Sequence, residues 1–270
     1  MRPRALAVAA VVFLASLVVG LVGSAALFGG DGPRGGTRKA SGHLAGLPGA
    51  KLQRGTRFSS RALRGVPRGA SVVATARGHT VLVHRHRGGR ADRRLTQRRT
   101  SSGRRLPLVF LVKARRKGWL KVHLPTRPNL GTGWLRASRV RLTITRFRLR
   151  VDLRSHRLTV LRNGRRVMRT AIGTGRSTSP TPTGRYYVTD LLRTGDPAGF
   201  YGPFALGLSA HSPVYTSFAG GDGQVGLHGT NNPSVLGTDV SHGCIRLSNE
   251  AITRLAKRIP LGTPVDIRRG

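Results

Sequence analysis

A single cysteine, Cys244, and two His-Gly pairs, His228-Gly229 and His242-Gly243, fall within one short stretch, Gly226–Leu247, which reads GLHGTNNPSVLGTDVSHGCIRL. A thiol is a useful nucleophile as its thiolate, and an ordinary cysteine with a pKa near ~8.5 offers a few per cent of that form at neutral pH. An imidazole held in one orientation beside it removes the proton. The glycines allow a sharp turn or a close approach of backbone to substrate. A solitary cysteine is more often a small buried apolar residue. Here Cys244 stands between Gly243 and a short apolar-basic run, with His242 two residues before it, and that company favours a reactive sulfur. The stretch therefore supplies a nucleophile, a base and a permissive backbone for acyl transfer.

The ordered pair H-G-T and S-H-G-C-I-R-L resembles the signature of the L,D-transpeptidases of the YkuD type, cell-wall enzymes that cross-link peptidoglycan. Tyr201-Gly202-Pro203 through Leu206-Gly207-Leu208-Ser209-Ala210, then Gly220-Gly221-Asp222-Gly223, resembles the actinobacterial members. The likeness covers about Phe147–Arg268. It implies Cys244 as nucleophile, His228 as base, the Gly229 carbonyl as the group orienting the imidazole, and backbone N–H groups around His242, Gly243 and Cys244 as the holder of the oxyanion. It implies no cofactor and no metal, peptidoglycan stem peptides as partners, and 3→3 cross-links made through a cysteine thioester. An L,D-carboxypeptidase, or a catalytically idle protein that docks on the wall, are the alternatives. His242 is expected to be structural, with the nearby Asp239 carboxylate as a possible ring partner. Ser241 is expected to hydrogen-bond within its loop. Arg246 either pairs with a substrate carboxylate or faces solvent, and Tyr201 belongs to an aromatic, Gly-rich segment, Gly195–Gly226, that reads as a lid, a groove wall or plain packing over a peptide.

The elements that position these residues are mostly strands. Val140, Leu142 and Ile144 alternate in one phase, and Phe147, Leu149, Val151 and Leu153 in the other. Side chains on a strand repeat every two residues, so the slip near Thr145–Arg146 marks a bulge or a new strand, and a domain boundary is placed there. Asn163-Gly164 between Arg157–Arg162 and Arg165–Ile172 predicts a tight hairpin. Ser179-Pro180-Thr181-Pro182-Thr183-Gly184 predicts a rigid loop, which the resemblance implies supports the site, and Arg185–Leu192 predicts a strand. Ser248 caps a helix with Glu250 in its first turn and Ile252, Leu255, Ala256 and Ile259 on its apolar face, which Pro260–Gly262 ends before a last strand, Val265–Arg268. The expected fold is mainly β: a YkuD-like catalytic β-sandwich with one clear helix over 146–270, after a small SH3-like β domain over 70–145. In the latter, Val81/Val83, Leu108–Val112 and Trp119–Leu124 are short strand-like runs, and the Gly118–Val122 to Gly133-Trp134-Leu135 segment resembles the end of an SH3-like bacterial barrel. Both tryptophans are expected in its core.

Composition bounds the setting. The chain has 270 residues, 48 Lys+Arg against 9 Asp+Glu and a net charge of +39. Such a charge suits nucleic acid, anionic wall polymers or an anionic membrane face. The arginines are spread along the chain and no nucleic-acid-binding motif accompanies them, so no nucleic-acid partner is expected. One cysteine excludes an intramolecular disulfide and any Cys-pair redox or zinc motif. Ala5–Gly30 carries no charge after Arg2 and Arg4. Its length favours an uncleaved membrane anchor over a cleaved signal peptide, although Gly23-Ser24-Ala25-Ala26 leaves cleavage open. Arg34, Arg38 and Lys39 pull against the orientation that Arg2 and Arg4 favour. The chemistry makes sense outside the cell, so residues 1–30 are read as a signal peptide or anchor with the catalytic domain extracytoplasmic. Residues 31–69 read as a flexible basic linker that reaches from membrane to wall.

Overall fold

The computed structural model describes residues 65–100, 102–217 and 221–270. The apolar span and nearly all of the basic linker lie outside the described residues. Among the described residues, no helix is long and apolar enough to cross a membrane.

The first sheet has seven strands: β1 (Ser71–Ala76), β2 (Thr80–His84), β3 (Ala91–Thr96), β4 (Val109–Arg116), β5 (Trp119–His123), β6 (Thr132–Arg136) and β7 (Val140–Thr145). They run in the order β3-β2-β6-β5-β4-β1-β7, every pair antiparallel. Lys117 and Gly118 between β4 and β5 both have positive φ (38° and 78°), the geometry of a two-residue hairpin turn whose twist matches its strands. Alternating Val81, Val83, Phe110, Leu120, Val122, Leu135, Val140 and Leu142 make this sheet's own core. Trp119 belongs to the buried set, as expected. Trp134 departs from the expectation: it is half-buried, with the Lys121 ammonium 5.9 Å from its ring centre.

The change of phase at residue 146 is a new strand rather than a bulge. β7 ends at Thr145 and β8 (Phe147–Asp152) opens the second sheet. There follow β9 (Arg157–Arg162), β10 (Arg165–Ala171), β11 (Thr174–Gly175), β12 (Gly184–Arg193), β13 (Phe204–His211), β14 (Gln224–His228), β15 (Asp239–Ser241), β16 (Ile245–Arg246), α1 (Asn249–Arg258) and β17 (Pro264–Arg268). The β9–β10 turn is the anticipated Asn-Gly pair, with φ of 52° and 80°. Eight strands form one sheet in the order β10-β9-β8-β17-β12-β13-β14-β16, and β11 pairs with β15. The fold is thus mainly β, with α1 the one α-helix among the described residues.

β12 joins the two halves of this sheet. Its first four residues, Gly184–Tyr187, pair with β17, and the rest, from Val188, pair with β13 through a register shift between Val188 and Asp190. Residues from both halves, among them Leu149, Leu158, Tyr186, Leu206, Leu227 and Val265, share one buried core with the inner face of α1. The Ser248 hydroxyl accepts the Ala251 N–H at 3.1 Å and starts α1 as predicted, and Ala251, Ile252, Leu255 and Ala256 are its buried face.

The two sheets also pack on each other. Val73, Val109 and Leu111 of the first join the core of the second. The fully buried Tyr187 hydroxyl donates to the Val109 and His123 carbonyls, each at 3.2 Å. The φ of Gly262 is +82°, and a Cβ there would lie 2.3 Å from Val73 Cγ1. The buried Asp190 carboxylate accepts from Arg98, in the β3–β4 connection of the first sheet, at 2.7 Å.

Candidate active site

β14 and β16 are adjacent parallel strands, with Leu227 opposite Ile245 and His228 opposite Arg246. Cys244, one residue before β16, continues that register to Gly226, whose backbone hydrogen-bonds its sulfur. Alternate residues share a face, so Gly226 and His228 on one strand and Cys244 and Arg246 on the other point the same way. The thiol and the imidazole are therefore diagonal neighbours, about 8 Å apart at Cα from strand rise and spacing. Gly226 has no side chain to stand between them. Both side chains line one cleft, shared with Tyr201, Tyr215, His242 and Arg246.

His228 is 3% exposed. Its Nδ1 lies 2.6 Å from the Gly229 carbonyl oxygen. A carbonyl accepts and cannot donate, so Nδ1 carries the hydrogen and Nε2 presents its lone pair. This is the tautomer a base toward Cys244 needs. Burial lowers the His228 pKa to about 4, against the bond to Gly229, which raises it; the Arg246 charge lowers it further. Burial likewise raises the Cys244 thiol above its ordinary value, while the Gly226 hydrogen bond and Arg246 pull it down. One cause, loss of water, disfavours both charged forms. Desolvation thus works against the ion-pair form of Cys244 and His228.

The sign of the His228 shift makes a prediction. Its folded pKa, about 4, lies below the ordinary value of 6.5, so the unfolded chain binds more protons between those pH values. The stability tied to this group is complete above pH 6.5 and is lost as pH falls toward 4, about 3 kcal/mol in all. Urea midpoints at pH 7 and pH 4.5 should differ in that direction, and the gap should shrink in His228→Gln.

The Gly229 carbonyl is itself held. Asn249 Oδ1, at the start of α1, accepts the Thr230 N–H at 3.0 Å, and Asn249 Nδ2 donates to Pro197 O at 3.3 Å. A Cβ on Gly229 or on Gly202 would come within 2.2 Å of that Oδ1, so both positions need glycine. Asn249 thus ties the His228 loop to the segment carrying Phe200 and Tyr201. The Tyr201 ring meets His228 edge-on at 4.8 Å, and Phe200 stands 5.9 Å from His228.

The S-H-G-C turn is clamped from beneath. Ser241 is 1% exposed; its hydroxyl donates to the Cys244 carbonyl at 2.6 Å and accepts the Gly243 N–H at 3.0 Å. Ser179 and Thr181 of the Pro-rich loop donate to the Ser241 and Gly243 carbonyls at 3.2 and 3.0 Å. Gly243 has φ +117°, a conformation that suits glycine. The Gly243 N–H is taken up by the Ser241 hydroxyl, so in this structure it serves to hold the turn. Ser241→Ala should leave this N–H unpaired and lower the thermal midpoint by roughly 5 °C, read by calorimetry.

His242 and Asp239 do not fit the pairing offered from their nearness in sequence. Asp239 Oδ1 accepts from Thr174 at 2.5 Å and from His156 Nε2 at 2.9 Å. The exposed His242 ring instead meets Tyr215 edge-on at 5.6 Å. Arg246 is half-buried and its Cζ lies 4.5 Å from the Phe200 ring centre, while its Nε is buried without a partner. Of the residues singled out beforehand, Tyr201, His228, Ser241, His242, Cys244 and Arg246 meet at this cleft, with Gly229 and Gly243 shaping its backbone. Phe200 belongs to the aromatic segment Gly195–Gly226 read as a lid or groove wall; Asn249 and Gln224 had no signal of their own, since their partners come from distant segments.

Comparison with known proteins agrees on the same part of the chain. A model of the YkuD family, described as the L,D-transpeptidase catalytic domain, matches residues 146–267. YkuD of Bacillus subtilis is 34% identical over 123 residues, covering 46% of this chain and 66% of its own length. YqjB of the same organism is 30% identical over 126 residues, covering 43% of this chain and 67% of its own. Both are named as inferred L,D-transpeptidases. Among solved structures, a Bdellovibrio bacteriovorus protein overlaps 46% of this chain and 47% of its own at 26% identity, with a TM-score of 0.37. The chain spans just under two thirds of the first curated relatives it matches, 66% and 65% of their lengths. From its family match and its relatives, the chain belongs to the YkuD family of L,D-transpeptidases.

Proposed function

We propose that the chain is a peptidoglycan L,D-transpeptidase that works through a thioester on Cys244, with its catalytic domain outside the cell. The observation that carries this reading is the placement of Cys244 and His228 on one face of paired strands, with the His228 tautomer set by Gly229. The donor is a peptidoglycan stem peptide, and the bond broken joins its third residue, a diamino acid, to D-Ala at position four. Cys244 Sγ attacks that carbonyl carbon as His228 Nε2 takes the thiol proton. The Cys244 backbone N–H faces the developing oxyanion. When the C–N bond breaks, the amine of D-Ala leaves with the proton from His228, and the acyl group remains on sulfur. The side-chain amine of a second stem then attacks the thioester and gives its proton to His228, which returns it to the departing thiolate, leaving a 3→3 cross-link. Water in place of that amine makes the same site an L,D-carboxypeptidase.

Arg246 supports this assignment as the group for a substrate carboxylate, since among the described residues its buried Nε lacks a partner and the cleft has no carboxylate in its lining. Tyr201 and Phe200 wall the donor side. Residues 70–145 act as an SH3-like module, residues 146–270 as the catalytic domain, and the +39 charge suits work among anionic wall polymers. Incubating the full chain with purified disaccharide-tetrapeptide and weighing the products tests the proposal. Cross-linked dimers support it; tripeptide without dimers assigns the carboxypeptidase reading; unchanged tetrapeptide, with the chain folded, leaves a wall-binding protein and overturns it.

A further inference from the structure

Two side chains of the first sheet's β5–β6 connection reach across to the wall of the cleft. Arg127 Nη1 donates to the Ser212 carbonyl at 2.7 Å, and its Nη2 to the carbonyls of Tyr215 at 2.7 Å and Asp222 at 3.2 Å. Asn129 exchanges two hydrogen bonds with the main chain of His211, donating from Nδ2 at 2.8 Å and accepting the His211 N–H at 2.9 Å. Asn129 thereby stands in for a paired strand at the end of β13. Nearby, Arg98 Nη1 donates to Gln224 Oε1 at 2.8 Å, where β14 begins.

The segments these residues hold are the ones that border the cleft: Ser212, Tyr215, Gly223 and Gln224 all line it. Ser212 N–H donates to Gly223 O, and the Ser212 hydroxyl accepts from the Val214 and Tyr215 N–H groups. A Cβ on Gly223, whose φ is +74°, would fall 2.0 Å from the Tyr215 carbonyl and 2.9 Å from Arg127 Nη2, so the wall is pressed down onto the guanidinium. One planar fork collecting three carbonyls fixes their relative positions in a way a single point charge does not. By contrast, Cys244 and His228 are placed by the β14–β16 pairing, Ser241 and Gly229, while the hydrogen bonds of Arg127 and Asn129 among the described residues go to His211, Ser212, Tyr215 and Asp222.

We propose that Arg127 and Asn129 are positioning residues of the catalytic site, contributed by the N-terminal sheet, which set the Tyr215-bearing wall and so the hold on the stem peptide, separately from proton transfer. The inference rests on the reading of the cleft as a stem-peptide site. It makes the first sheet a working part of the enzyme and not solely a module for docking on the wall.

Steady-state kinetics of the full chain on disaccharide-tetrapeptide tests it. Arg127→Ala should raise KM roughly tenfold, the loss expected of a charge-assisted contact, with kcat within about twofold. Arg127→Lys should fall between, and Asn129→Ala should shift KM in the same direction, which keeps the test in force if Arg127→Ala does not fold. An unchanged KM in folded variants overturns the inference, including the case where the thermal midpoint drops and KM does not. A fall in kcat with KM unchanged overturns it too. If the unmutated chain does not turn the peptide over, the enzymatic reading fails separately, and the Kd for the same peptide decides this one: weaker binding in Arg127→Ala supports it, and equal binding or none at all in both chains overturns it.

Discussion

Cys244→Ala is expected to reduce transfer to tetrapeptide stems to background, a loss of at least about 10⁴-fold, with the fold intact. The size follows from the proposed mechanism, in which Cys244 Sγ carries the acyl group: without it, binding in the cleft leaves only a small residual effect. The chain has no second thiol to take over. Cys244 is half-buried at a cleft, not at the centre of the core, so loss of its sulfur removes little packing. Product masses at matched enzyme concentration, beside a thermal melt, check the expectation. A variant that keeps more than about one hundredth of the rate removes Cys244 from the role of nucleophile.

His228→Ala should cost about 10²–10⁴-fold near neutral pH, the usual range for a positioned general base. The pH profile carries more information than the size. In the unmutated chain the base must be neutral, and burial lowers its pKa to about 4. The rate should therefore hold as pH drops through 6.5, where an ordinary histidine would fail, and decline as it approaches 4. In the variant the reaction depends on spontaneous thiolate. Burial raises the Cys244 pKa above its ordinary value, so the variant's rate should climb with pH throughout the range below it. Matching rates for the two proteins at every pH would remove the base assignment.

What the sequence disclosed was local. The phase slip after Thr145, the Asn163-Gly164 turn, the Ser248 cap and the order H-G-T before S-H-G-C each depend on neighbours within a few residues, and short-range chemistry decides them. Pairings across the chain were not legible. Asp239 stands three residues from His242, yet its carboxylate takes His156, 83 residues away in the β8–β9 connection. Likewise, no periodicity shows that Ser241 occupies the Gly243 N–H. The first sheet's role was the least visible: Arg98, Arg127 and Asn129 look like surface polar residues until β13 and β14 are folded against them.

The bond between sulfur and substrate is the point on which the account stands. Intact-mass and peptide-map spectrometry of the full chain, quenched in acid during turnover of tetrapeptide stem, addresses it. The account predicts an added mass equal to the stem less its terminal D-Ala, located on the peptide that contains Cys244 and missing in Cys244→Ala. Cross-linked product forming with no adduct at any quench time, or with the adduct on another residue, would contradict it.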